Sequence, residues 1–210
     1  QNIINLYKKN ELEALKKTNF FERNYIQPVA FLKAGNPMFV NSINELAFFS
    51  DTMQDLRWKN TIENKLNGLT QNEFIILKNI TTKVLELNLL LGLNEVCQSA
   101  FIEHLYHVRM FKHYFSESKS ILEIGPGSGY FSLIMALDGF KVLSTDITQS
   151  LYLWQSVLYD HFNILNEGVV NDIQTEFGEI SHIPWWKYKN IYEWCNDKID
   201  NIIINHAIAE

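Results

Sequence analysis

The stretch Ile121-Leu122-Glu123-Ile124-Gly125-Pro126-Gly127-Ser128-Gly129-Tyr130 decides how this chain is read. A short apolar strand, Ser120–Ile124, runs into a turn with glycine at three alternate positions, and an apolar helical segment follows. Such a turn reverses the backbone sharply and brings it against a ligand, and glycine has no Cβ to obstruct either step. The helix expected over 128–137, stopped by Gly139, would also aim free N–H groups back at that ligand.

The surrounding pattern alternates strand and helix. A second strand is expected over 141–145, a helix over 149–165, a third strand near 179–183 and a fourth over 201–205. The run Ile202-Ile203-Ile204 suits a strand buried on both faces. Repeated β-α-β order implies right-handed crossovers and a parallel sheet, an α/β Rossmann-like architecture.

Upstream of Ser116-Glu117-Ser118-Lys119-Ser120 the character is helical. Thr70 and Glu73 form a capping-box pattern that opens a helix, along which Ile76, Ile80, Val84, Leu87 and Leu91 fall on one stripe before Gly92 stops it. A further helix from Asn94 is expected to bury Cys97, Phe101, Leu105, Val108, Phe111 and Phe115. Asn2–Lys17 reads as an amphipathic helix, and Gln27-Pro28 and Gly35-Asn36-Pro37 as turns. The expected organisation is a helical unit over 1–115, serving as a cap or a dimer contact, and an α/β unit over 116–210.

The chain has 210 residues, 47% of them hydrophobic, enough for one sizeable core. Its 18 Lys and Arg against 24 Asp and Glu give a net charge of -6, the wrong sign for neutralising a row of phosphates, so nucleic acid is a disfavoured partner. Cys97 and Cys195 show no metal-ligand or disulfide spacing and fit a reducing, cytoplasmic setting. The longest apolar run, Leu89-Leu90-Leu91-Gly92-Leu93, falls far short of the ~20 residues that span a bilayer. The sequence begins at Gln1 rather than Met, which is compatible with a native leader ahead of it.

Two details separate a sulfonium nucleoside from a dinucleotide. The glycines fall as GxGxG and large Tyr130 follows, whereas the dinucleotide pattern GxGxxG needs a third glycine for close helix packing. Glu123 places a carboxylate near the strand end, where it would attract an ammonium and repel a pyrophosphate. Asp146, ending the second strand, can accept both hydrogen bonds of a ribose diol, and Ile147 can lie against adenine.

These residues resemble the class I S-adenosylmethionine (SAM) dependent methyltransferases, residues 123–129 matching the family's first motif and Asp146 its ribose-binding acid. More loosely, Asp146-Ile147-Thr148-Gln149-Ser150-Leu151-Tyr152-Leu153-Trp154-Gln155, His182-Ile183-Pro184-Trp185-Trp186 and Asn205-His206-Ala207-Ile208-Ala209-Glu210 are similar to bacterial sugar O-methyltransferases. The resemblance implies SAM as methyl donor and a hydroxyl of a sugar, nucleotide sugar or polysaccharide precursor as acceptor. Cofactor contacts are then expected from Glu123, Ile124, Gly125, Pro126, Gly127, Gly129, Asp146, Ile147, Gln149 and Asn205. The family sheet has seven strands and four are legible here, so the sequence is expected to be part of a longer protein.

Methyl transfer is a direct displacement and needs a base when the acceptor is a hydroxyl. His206, expected just past the fourth strand, is the candidate base, with Glu210 orienting it or replacing it. Trp185 and Trp186 offer flat faces to adenine or a sugar ring, or pack in the core; His182 divides between acceptor contact and structural hydrogen bonding. Tyr152, Trp154 and Gln155 read as buried against the sheet. Glu103, His104, His107 and His113 suggest a metal by spacing, but His104 falls on the apolar stripe and the others off it, so no metal site is assigned. Rival functions are a natural-product N- or O-methyltransferase, a non-catalytic SAM-binding protein and an NAD oxidoreductase.

Overall fold

The computed structural model describes residues 2–19, 37–52, 58–96, 98–169, 178–192 and 198–204. Five parallel strands form one sheet: β1 (Ser120–Ile124), β2 (Lys141–Asp146), β3 (Leu165–Glu167), β4 (Ile180–Pro184) and β5 (Asn201–Ile204). Their spatial order is β3-β4-β2-β1-β5. The protein is therefore α/β with an all-parallel sheet, an arrangement compatible with a Rossmann-like fold. The labelled helices are α1 (Asn2–Lys17), α2 (Ala47–Thr52), α3 (Gln71–Leu90), α4 (Gln98–Tyr114), α5 (Tyr130–Leu137) and α6 (Gln149–His161). Helical turns also occur at Ile43–Leu46, Trp58–Asn60, Thr61–Lys65 and Trp185–Asn190.

Local signals in the sequence account for the helix starts. Thr70 caps α3, its hydroxyl accepting from Glu73 N at 3.3 Å while the Glu73 carboxylate accepts from Thr70 N at 2.8 Å. Arg109 on α4 then grips the same carboxylate through Nε at 2.9 Å and a terminal nitrogen at 2.6 Å, and donates to the carbonyls of Leu66 and Gly68. This planar fork joins the two helices at the point where α3 begins.

One face of the sheet carries the main core. Ile121, Val142 and Ile180 meet α5 and α6, and beyond these the same cluster continues through Phe101, Leu105, Ile80 and Val84 to Ile4 and Tyr7 of α1. Helix α4 packs on α5 and α3 on α6, so a second layer of helices covers the first. Nearly all of α6 is consequently buried, from Gln149 through Ser156. On the opposite face, Leu122, Leu143 and Ile183 form a smaller cluster with Ile124, Ile191 and Ile199.

Several expected boundaries move. The helix read over 149–165 ends at His161, because Asn163 adopts the left-handed conformation (φ 59°) and releases the chain into the unexpected β3. The strand of Ile202–Ile204 is not buried on both faces: Ile202 is 62% and Ile204 42% exposed among the described residues, because Ile203 alone turns toward the main core. Phe115 follows the end of α4 and is half exposed rather than buried. Cys97, Cys195, Gln27, Pro28, Gly35 and Asn36 lie outside the described residues. Among the described residues no helix is long and apolar enough to cross a membrane.

Candidate functional site

From β1 the chain lays β2 beside it, β3 at the outer edge and β4 between β3 and β2, then returns past β1 to lay β5 on its far side. In open α/β sheets ligands bind outside the carboxyl ends of the strands where such a reversal occurs, here at the end of β1. The glycine turn lies there. Gly125, Gly127 and Gly129 have φ of 69°, 58° and 79°, all in the left-handed region that a Cβ disfavours. At Gly129 a Cβ would also stand 2.8 Å from Tyr159 Oη and 3.1 Å from Gln155 Cγ.

Three side chains of α6 hold the turn's carbonyls. Gln155 Nε2 donates to Gly127 O at 2.8 Å, Trp154 Nε1 to Ser128 O at 3.0 Å, and Tyr159 Oη to Gly129 O at 3.2 Å. Gly125 N donates to Thr145 O at 3.0 Å, which ties the turn to β2. In a trans peptide the N–H points opposite to the C=O, so the N–H groups of Ser128 and Tyr130 face away from α6. Ile124, Gly125 and Gly127 remain partly exposed, and Pro126 and Gly129 are buried.

Asp146 ends β2, the strand beside β1, and is buried. Its Oδ1 accepts from Thr148 N at 3.0 Å and its Oδ2 from Gln155 Nε2 at 2.9 Å. Ile147 beside it is 41% exposed. Glu123 occupies a different environment from the one expected. It sits one residue before the end of β1, in register with Ser144 and Ile203, so its side chain turns to the α5 side of the sheet. There it is wholly buried and accepts from Ser132 Oγ on α5 rather than standing open at the strand end.

The residues expected to meet the acceptor are differently placed. His182 is fully buried within the sheet rather than at its rim. Its ring stacks on Tyr152 at 3.9 Å and 12°, with Nδ1 2.9 Å from Ser156 Oγ and Nε2 3.0 Å from Gln155 Oε1. Burial holds its pKa down to about 3, so the ring is neutral. Trp185 is also buried and donates from Nε1 to Glu11 Oε1 at 3.1 Å, while Trp186 is half-buried and leans on Tyr7 at 4.8 Å. Both indoles are thus taken up by α1. Gln149 is engaged in the same way: Nε2 donates to Glu11 Oε2, and Oε1 accepts from Val40 N at 3.4 Å. Asn205, His206 and Glu210 lie outside the described residues.

The N-terminal segments reach this region by contacts that periodicity does not reveal. Ser150 N donates to Met38 O at 3.1 Å and Ser150 Oγ to Pro37 O, so the 37–40 segment lies along the start of α6. Burial raises the Glu11 carboxyl, against the hydrogen bonds from Trp185 and Gln149 that lower it. From α4, His104 places Nε2 2.9 Å from Ser128 Oγ in the turn itself. Burial, followed by the nearby His107, lowers the His104 pKa to about 4. The one signal of this in the sequence was the position of His104 on the apolar stripe of α4. Glu103 faces the other way, toward Thr61 Oγ1 at 2.7 Å and Lys65 Nζ at 2.5 Å. Among the described residues no three His, Cys, Asp or Glu side chains form a metal-holding group.

Neither family models, nor curated proteins, nor solved structures gave a match to this chain.

Proposed function

We propose that the glycine turn at the end of β1 binds SAM and that the chain has class I methyltransferase activity toward a sugar hydroxyl. The observation that carries the reading is the triple left-handed turn of Gly125, Gly127 and Gly129 beside an acid, Asp146, fixed at the end of the adjacent strand. The residues fit a compact cationic nucleoside: Ile124, Gly125 and Gly127 are partly exposed, and the two glycines offer backbone without a side chain. Tyr130 fills the position where a dinucleotide site needs glycine, and it is buried against Phe101 at 5.6 Å.

SAM bound there would supply an electrophilic methyl carbon on a positively charged sulfur. The protein's work is then alignment. Asp146 would accept the hydrogen bonds of the ribose diol, Ile147 would lie against the adenine, and the turn would position the remainder by backbone. A base beside the strand ends would take the proton of the acceptor hydroxyl. His206, with Glu210, is our candidate for that step. The sugar acceptor rests on the looser resemblance of the 146–155 and 182–186 segments, and His182, Trp185 and Trp186 are assigned to support of the site rather than to acceptor contact.

Calorimetric titration with S-adenosylhomocysteine and, separately, NAD tests the cofactor. Binding of the first alone is expected; binding of NAD alone overturns the reading. Incubation with radiolabelled SAM and a panel of nucleotide sugars, phenols and amines then tests the acceptor, with label expected on a sugar hydroxyl. A chain that binds S-adenosylhomocysteine and labels none of them is a SAM-binding module.

A further inference from the structure

A continuous line of buried side chains leads from β3 to the turn, and its hydrogen atoms can be counted. Gln155 Nε2 lies 2.8 Å from Gly127 O and 2.9 Å from Asp146 Oδ2. A carbonyl can only accept, and an ionised carboxylate can only accept, so the amide must turn its NH2 to them. Its Oε1 therefore faces His182 Nε2 at 3.0 Å, and that nitrogen must carry a proton. His182 Nδ1 is 2.9 Å from Ser156 Oγ, and Ser156 Oγ is 2.6 Å from Glu167 Oε2.

Ser156 has one hydroxyl hydrogen for two short contacts. If Glu167 is ionised and His182 neutral, one of those contacts sets two lone pairs against each other. If Glu167 is ionised and His182 doubly protonated, both Ser156 contacts are made, but two opposite charges stand inside the core, His182 wholly buried and Glu167 8% exposed. If Glu167 is protonated, it donates to Ser156, Ser156 donates to Nδ1, and both Ser156 contacts are made without a charge. Glu167 Oε1 meanwhile accepts from Tyr152 Oη and from Val169 N at 3.1 Å. Burial favours the uncharged filling at both ends, lowering His182 and raising Glu167.

We infer that Gln155 is a positioning residue for Asp146 and the glycine turn, held in one amide orientation by an uncharged Glu167–Ser156–His182 relay that ends in a proton on Nε2. The inference rests on the SAM reading for its purpose. One amide then fixes both the acid meant for the ribose and the carbonyl of Gly127, so the two halves of the site are set relative to each other before ligand arrives. The other imidazole tautomer would turn the Gln155 oxygen toward Gly127 O and Asp146, and the pair would separate.

The titratable groups around the relay are Glu167 on β3, with Lys187 beyond β4 acting on it, Tyr152 and Tyr159 on α6, Tyr7 on α1, Asp146 on β2 and Glu123 on β1. Two measurements test it. In uniformly labelled wild-type protein, long-range proton–nitrogen correlation is expected to show His182 protonated at Nε2 only, unchanged from pH 5 to pH 8, with the Glu167 carboxyl carbon in its protonated range at pH 7. A proton on Nδ1, or an ionised Glu167, overturns the relay.

Gln155→Glu tests the positioning role. A carboxylate there repels Asp146 and Gly127 O and loses both donors, so affinity for S-adenosylhomocysteine is expected to fall about tenfold or more at pH 8. Acidification to pH 5.5 should narrow the gap to wild type, because the introduced carboxyl regains one donor when it is protonated; a purely structural defect would not recover with pH. If wild type binds the ligand and the variant matches it at every pH, the positioning role falls alone. If wild type does not bind it, the proposed function falls, while the imidazole and carboxyl spectra still decide the relay.

Discussion

Gln155 and Asp146 meet at 2.9 Å, amide nitrogen to carboxylate oxygen, and this contact joins the middle of helix α6 to the end of strand β2. Because Thr148 N holds the other oxygen at 3.0 Å, the plane of the Asp146 carboxylate is set by the protein. Asp146→Asn keeps the shape and removes the charge. The variant should fold, with S-adenosylhomocysteine affinity reduced by about 10- to 100-fold, since hydrogen bonds to charged groups are worth about 1.5–3 kcal/mol. Calorimetry with a parallel thermal melt checks it; an unchanged affinity would remove the ribose from Asp146.

The glycines of the turn should separate by what surrounds them. Alanine at either Gly127 or Gly129 incurs left-handed strain of about 1–2 kcal/mol. At Gly129 the new Cβ also meets Tyr159 Oη at 2.8 Å, whereas at Gly127 it meets nothing within 4 Å. Gly129→Ala is therefore expected to be the less stable variant by about 1–3 kcal/mol, the usual range for an overpacked core. Adding Tyr159→Phe should recover part of the loss in the Gly129→Ala background but cost stability in wild type, where Oη donates to Gly129 O. Denaturant melts of the four proteins of this cycle give the coupling. Equal midpoints for Gly127→Ala and Gly129→Ala would contradict the packing argument.

Arg109 ties the start of α3 to α4 through Glu73 and two loop carbonyls. Burial opposes ionisation of Glu73, but the hydrogen bonds from Arg109 and Thr70 prevail and hold its carboxyl below the ordinary range. A depressed folded-state pKa gives stability that is present above the ordinary carboxylate value and is lost as pH falls through the folded value. Arg109→Lys cannot reproduce the fork. It should lower the melting midpoint at pH 7, with a smaller difference from wild type near pH 3, as followed by circular dichroism.

The sheet and its glycine turn were legible because their signals are local. Glycine at 125, 127 and 129 is demanded by backbone angles, and Thr70 with Glu73 satisfies helix N–H groups within one turn. Strand β3 was hidden because Leu158, Phe162 and Leu165 prolong the apolar pattern of α6; the left-handed Asn163 that interrupts it looks ordinary in sequence. The fates of His182, Trp185 and Gln149 were not legible for another reason. Each is decided by a partner distant in sequence, Gln155 for the first and Glu11 for the other two, and no spacing rule relates residue 11 to residues 149 and 185. Glu123 lay between these cases: its strand was evident, but the face it takes depends on Ser132.

Two buried histidines give stability a pH dependence with a definite sign. The folded pKa of His104 is lowered to about 4 and that of His182 to about 3, from 6.5, by burial in each case. The neutral ring is favoured in the folded state, so each contributes stability that is complete above pH 6.5 and declines as pH falls toward the folded value. Glu167 and Glu11 oppose this, because burial raises their carboxyls and the folded chain takes up their protons first. Comparison of wild type with His104→Asn isolates one histidine: below pH 6.5 the wild-type curve should fall more steeply by up to about 1.4 kcal/mol per pH unit. Above pH 7 the variant should be the less stable, having given up the packing of His104 and its bond to Ser128. Urea melts between pH 5 and 8 measure both limbs. Parallel curves across that range would mean that His104 titrates alike in the folded and unfolded chains, and that the contact between α4 and the glycine turn does not exclude water.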